Sequence, residues 1–209
     1  MPKINPFSPN NPVHSEMFVG RTGELERLES CLIQTKAGSP SNFMLTGERG
    51  IGKSSLLNYI KYVAEGAIPL DGASVSFLVV DTDIDSNTTQ LGLVEKIRLG
   101  LDRALGDTEP GRDFLKQTWQ FLQRVEGGGF KLREAEESAS SERLLEEFAY
   151  SLASVGERIS KHTNSTIFDA KFDGILVLVD EADNASAALQ LGSFFKCLRS
   201  GFSGADVIT

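Results

Sequence analysis

The chain has 209 residues, with 21 Lys+Arg against 29 Asp+Glu and a net charge of −8, a size usual for one globular domain. A hydrophobic fraction of 40% with 13 Phe is enough for a packed core and excludes a disordered tail, and no run reaches the roughly 18 apolar residues of a membrane helix. The acidic balance argues against a non-specific grip on nucleic acid, which rests on many Lys/Arg–phosphate contacts.

Residues 1–17 carry Pro2, Pro6, Pro9 and Pro12 among Asn and Ser. Proline removes backbone donors and biases its preceding residue away from helix, so an extended arm is predicted there. From Gly23 onward Leu25, Leu28, Cys31 and Leu32 recur at helical spacing, with Thr22 as a cap and Glu24 in the first turn. That helix should end near Gly38-Ser39-Pro40. Asn42 to Thr46 reads as a short strand, followed by a Gly-rich loop and a helix from Lys53. A second strand, Val75 to Val80, ends at Asp81, and Leu91, Val94, Ile97, Leu101 and Leu105 mark an amphipathic helix. Strand and helix thus alternate, as in a parallel sheet.

Between Pro110 and Thr166 the alternation lapses into helices. One surrounds Phe114, Leu115, Thr118, Leu122 and Val125, and a longer one carries Leu144, Leu145, Phe148, Leu152, Val155 and Ile159. Gly127-Gly128-Gly129 and an acidic, solvated stretch from Glu134 to Glu147 separate them. Ile175 to Val179 is the most continuous β-type run, as expected of a central strand covered on both faces. It ends in Asp180-Glu181-Ala182-Asp183; a last helix spans roughly residues 185–200, and Ala205 to Thr209 opens another strand. Cys31 and Cys197 show no C-x-x-C or Cys/His spacing and read as reduced thiols. Met1 to Phe7 lacks the basic flank and apolar run of a secretory signal, so a cytoplasmic location is expected.

Gly47-Glu48-Arg49-Gly50-Ile51-Gly52-Lys53-Ser54 fits G-x-x-x-x-G-K-[ST] in full and lies between a predicted strand and a predicted helix, as the motif's chemistry requires. Average residue frequencies would give such a match by accident roughly once in a hundred chains of this length. Glycines let backbone N–H groups curl around phosphate oxygens and the helix N-terminus adds positive charge. Lys53 reaches the β- and γ-phosphates, and the Ser54 hydroxyl ligates Mg²⁺. Gly47 through Ser55 are the predicted nucleotide contacts. The second motif is the acid pair ending the buried strand, at the sheet rim where open α/β folds bind ligands. Asp180 is expected to join Ser54 in the Mg²⁺ shell, and Glu181 to orient or deprotonate the attacking water. Glu181 and Lys53 are therefore the predicted catalytic residues. Arg49 has no assigned role.

With these residues in place, Phe18-Val19-Gly20-Arg21-Thr22-Gly23-Glu24-Leu25-Glu26-Arg27-Leu28, about two dozen residues before the loop, resembles the opening of AAA and STAND-type ATPases, especially the origin-recognition-like AAA group. The resemblance implies that Val19 and Gly20 lie beside the adenine, and it is the basis for choosing ATP; no guanine-reading Asn/Thr-Lys-x-Asp motif is present. It covers residues 5–60 and 172–184 and is weak between them. It implies a three-layer α/β/α P-loop NTPase fold with a mostly parallel sheet, here spanning 18–209 with a helical insertion at about 110–165. It also implies a further strand, opening at Asp206, between the P-loop strand and the acid-bearing one, and beyond it a sensor residue, an arginine finger and a helical lid, none of which is recognised before Thr209. The sheet is therefore expected to be incomplete at the C-terminus and the chain to be part of a longer protein, with the separation of the two motifs as a consequence.

Asp180-Glu181-Ala182-Asp183 also spells the DEAD-box helicase signature, but the segment before the loop differs and no further helicase motif occurs between residues 60 and 175. Asp183 reads as a capping or rim residue. His14 and His162 stand far from both motifs, and Trp119 reads as core or interface. The expected function is binding of Mg²⁺-ATP, with slow hydrolysis driving a conformational or assembly switch and with self-association or a protein partner. The alternatives are a non-hydrolysing interaction module and a nucleic-acid remodelling ATPase fragment.

Overall fold

The computed structural model describes residues 21–70, 72–105, 116, 134–161, 172–201 and 207–208. The predicted N-terminal arm, Val19, Gly20, both histidines, Trp119, the helix around Phe114 to Val125 apart from residue 116, and the triple-glycine turn lie outside the described residues.

The elements run α1 (Thr22–Lys36), α2 (Lys53–Ala64), β1 (Phe77–Asp83), α3 (Gln90–Leu105), α4 (Glu134–Lys161), β2 (Gly174–Asp180), α5 (Leu191–Gly201) and β3 (Val207–Ile208). β1 and β2 pair in parallel from Phe77 beside Gly174 to Asp83 beside Asp180. β3 adds in parallel to the other flank of β2, with Val207 beside Ile175 and Ile208 beside Leu176.

Side chains alternate across the strands and divide the core into two layers. On one face Phe77, Leu176 and Leu178 pack with Leu28 and Leu32 of α1 and Leu56, Ile60 and Val63 of α2. On the other, Leu78, Val80, Ile175 and Val177 pack with α3, α4 and Phe194 of α5. Both faces of β2 are covered, which is why it reads as an unbroken apolar run. The layers are helices, sheet, helices, as expected from the sequence.

Several details differ from the sequence reading. Arg21, not Thr22, is the N-cap of α1, and the acidic stretch from Glu134, read as separating two helices, is the first part of α4. Residues 42–46 alternate as a strand would, with Phe43 and Leu45 packed against the α1/α2 layer and Met44 80% exposed, yet they form no ladder. Among the described residues β3 pairs with the other flank of β2 alongside Ile175 and Leu176. Farther along, Val177 to Asp180 and Asn42 to Gly47 line one cavity instead of pairing. β1 starts later than predicted and runs on to Asp83 because its ladder with β2 continues to the sheet rim. The helix predicted over 185–200 is instead a 3-10 turn, Ala187–Leu189, followed by α5, and a further 3-10 turn, Ala182–Asn184, precedes it.

Candidate functional site

The loop from Gly47 to Gly52 joins the extended segment to α2. Gly50 (φ 82) and Gly52 (φ 94) take left-handed backbone conformations that side chains rarely adopt, which explains why glycine stands at both. Gly52 is the N-cap of α2 and supplies no side-chain cap, so the first-turn N–H groups of α2 face outward without one. The loop is braced by Ile51 N–H donating to the Glu48 carbonyl at 3.4 Å. Lys53 folds over it, its Nζ donating to the carbonyls of Gly47 at 2.9 Å and Glu48 at 3.2 Å. A cation held at the mouth of a loop of free N–H groups makes an anion cradle. The side chain of Ser55 is buried, leaving its N–H as the group it could offer, while Glu48 and Arg49 are exposed.

The acid pair stands at the C-terminal rim of β2. Asp180 Oδ1 accepts the Glu181 N–H at 2.8 Å, and the Asp180 carbonyl accepts Ile84 N–H at 3.1 Å. Glu181 is itself left-handed, at φ 55 and ψ 33, a conformation that costs a non-glycine residue about 1 kcal/mol or more. Asn184 Nδ2 forks between Glu181 Oε2 at 3.1 Å and the Ile84 carbonyl at 3.3 Å. The circuit ties the glutamate to the loop after β1. Asp183 is exposed in the adjoining 3-10 turn, whose N-cap is Glu181.

Two cavities bring the motifs together. The larger, about 670 Å³, is bounded by Gly47 and Lys53 on one side and Asp180 and Glu181 on the other, with Phe43, Leu57 and Phe195 among its apolar walls. The smaller, about 290 Å³, holds Ser54, Asn58 and Lys61 of α2 opposite Asp81, Asp83 and Asp180. Ser54 and Asp180 thus face one space despite the gap in the sheet. Lys61 donates to Asp81 Oδ2 at 2.5 Å, and this bond holds the ammonium's pKa above its usual value. At the next turn Lys96 Nζ donates to the Asp83 carbonyl at 2.9 Å and to Asp85 Oδ2 at 3.2 Å. The Asn87 N–H, first among its donors, keeps the Asp85 carboxyl below the ordinary range.

Sequence reasoning missed the rim carboxylates Asp81 and Asp83 and the roles of Asn184 and Arg21. The first two were legible as acids two apart at the end of a strand, which puts them on one face. The Arg21 guanidinium donates to the Ile51 carbonyl, thirty residues away. No sequence signal short of the folded contact would have shown that bond.

The AAA ATPase domain family model matches residues 17–203. The chain belongs to this family of AAA ATPase domains. Its match to the AAA domain supports nucleotide binding, an ATPase-like function and the P-loop NTPase fold seen in the two-layered core around the parallel sheet. Over 65 residues the chain is 42% identical to an uncharacterized HTH-type transcriptional regulator of Methanocaldococcus jannaschii. That stretch is 30% of this chain and only 16% of the relative, so the chain spans a small part of the curated protein it matches. No solved structure matches the chain. Among the described residues no helix is long and apolar enough to cross a membrane.

Proposed function

We propose that this AAA domain binds Mg²⁺-ATP in the cradle formed by Gly47 to Ser55 and hydrolyses it slowly, using the change of bound nucleotide to switch a conformation or an assembly state. The observation that carries this reading is the convergence of Gly47, Lys53, Asp180 and Glu181 on one cavity. Lys53, freed from the Gly47 and Glu48 carbonyls, pairs with the β- and γ-phosphate oxygens, while loop N–H groups hold the rest of the phosphate chain. Val19 and Gly20 are assigned to the adenine side.

The donor set suits a hard cation. Among the described residues no three His, Cys, Asp or Glu side chains converge on a metal, but Ser54 and Asp180 share the smaller cavity, and Mg²⁺ is usually held by one or two protein oxygens with phosphates and water. When bound it would neutralise charge developing on the transferred phosphoryl group. Glu181, set by Asn184 and by its turn of backbone, accepts a hydrogen bond from the attacking water and orients it. The partner is assigned as a second copy of the chain or another protein. Nucleic acid is not favoured for this domain by its net charge of −8, and the name of the archaeal relative describes a protein mostly outside the matched stretch.

Single-turnover hydrolysis of ATP tests the reading. Glu181→Gln should retain ATP and lower the rate by about 10²- to 10⁴-fold; an unchanged rate would remove Glu181 from the reaction.

A further inference from the structure

Arg21 occupies an unusual place for its type. It is the N-cap of α1, where Ser, Thr, Asp or Asn would normally close the first turn from an extended backbone. Instead its backbone is left-handed, at φ 54 and ψ 36, with no side-chain cap bond, and its carbonyl accepts the Leu25 N–H at 3.0 Å to start the helix. The chain forgoes a cap and accepts backbone strain there. What the position gains is the guanidinium bond to the carbonyl of Ile51, at the crown of the phosphate cradle.

That carbonyl shares one planar trans peptide with the N–H of Gly52, and in such a unit C=O and N–H point in opposite directions. No peptide among the described residues is cis. Holding the Ile51 oxygen toward Arg21 therefore fixes the Gly52 N–H on the other side of the loop. Among the described residues the Gly52 N–H meets no backbone acceptor, and Gly52, with φ 94 and no β-carbon, would otherwise let this peptide rotate freely. We propose that Arg21 is a positioning residue for phosphate: by pinning the Ile51 carbonyl it presets the Gly52 N–H as a donor to the nucleotide's phosphate chain, and so ties the start of α1 to occupancy of the cradle. The inference rests on the phosphate-binding reading of the loop proposed above.

The experiment compares the parent chain with Arg21→Ala, Arg21→Lys and Lys53→Ala. Affinities for ATP and for inorganic tripolyphosphate are measured by calorimetric titration, with the melting temperature and the amide spectrum of each ligand-free protein. An oriented N–H bond to a charged group corresponds to roughly ten- to a hundredfold in affinity. Arg21→Ala should weaken ATP and tripolyphosphate alike by about that factor and move the ligand-free Gly52 amide resonance. Its melting temperature should stay close to that of the parent. Arg21→Lys, whose ammonium still reaches a carbonyl, should recover much of the affinity. Tripolyphosphate binding within twofold of the parent in Arg21→Ala would overturn the inference, as would an unmoved Gly52 resonance, which would assign any loss of affinity to direct contact with ligand. A drop in melting temperature accompanied by equal losses in both arginine variants would assign Arg21 a purely structural role and also overturn it. If the parent binds neither probe, the phosphate-site reading fails, and this inference fails with it.

Discussion

Tyr59 on α2 donates to Glu29 Oε1 on α1 at 2.9 Å. Partial burial, with the neighbouring carboxylate opposing a second negative charge, raises the phenol's pKa from 10.0 to about 12. Below pH 10 the group is neutral in folded and unfolded chains alike, so its contribution is fully present. Between 10 and about 12 the unfolded chain loses the proton and the folded chain keeps it, so stability falls as pH rises. Lys61, whose pKa is also raised, acts in the same direction. Alkaline denaturation should therefore steepen above pH 10, and Tyr59→Phe should remove the tyrosinate absorbance step near pH 12; a phenol ionising near 10 would place Tyr59 outside this contact. Glu181 belongs to the same scale for a different reason. Its identity was legible as one of two acids after an apolar run, but its left-handed backbone and the Asn184 fork depend on a 3-10 turn before residue 185 that no periodicity in the sequence marks.

At the scale of elements, α3 lies close against β1 because Gly100 leaves room for Val80. A β-carbon at Gly100 would come 2.5 Å from Val80 Cγ1, and Val80 is almost wholly buried and stiff about χ1. Although alanine is the better helix former, Gly100→Ala should destabilise the domain by about 1–3 kcal/mol through overpacking. A chemical-denaturation midpoint that rises instead would mean that α3 can shift outward. The elements themselves were largely legible: of the five residues whose spacing marks α3, Val94, Ile97, Leu101 and Leu105 are buried, whereas Leu91, at the helix start, is exposed and Leu93 joins the core in its place. Residues 42–46 illustrate the limit of such reading. Their alternating pattern survives in Phe43 and Leu45, but a ladder is a relation between two segments, which the pattern of one segment does not specify.

At the scale of the whole molecule, the in-register parallel pairing carries Asp83 and Asp180 to one rim, and α2 crosses above it with Ser54 at its first turn. The phosphate loop and the acid pair meet there even though about 120 residues separate them in the chain. Saturating Mg²⁺-ATP at about a hundred times its dissociation constant should add roughly 2.7 kcal/mol to the stability of the domain, or about 5 to 10 °C in melting temperature for this size. Lys53→Ala should lose the shift. Equal shifts in both proteins would move nucleotide binding away from the loop, and no shift in either would leave the cradle without a ligand of this class.

The sequence by itself determined the layered α/β pattern, the G-x-x-x-x-G-K-S loop and the acids that end the central strand, because each is a local matter: a period of apolar residues, glycines where φ must be positive, charge placed where a strand runs out. Only the tertiary structure decided which groups face one another across distance. Arg21 reaches the Ile51 carbonyl, Lys61 holds Asp81, and Asn184 joins Glu181 to the loop after β1. Each of these bonds depends on strand register and helix packing, which are fixed by burial of the two apolar layers together and not by any one segment.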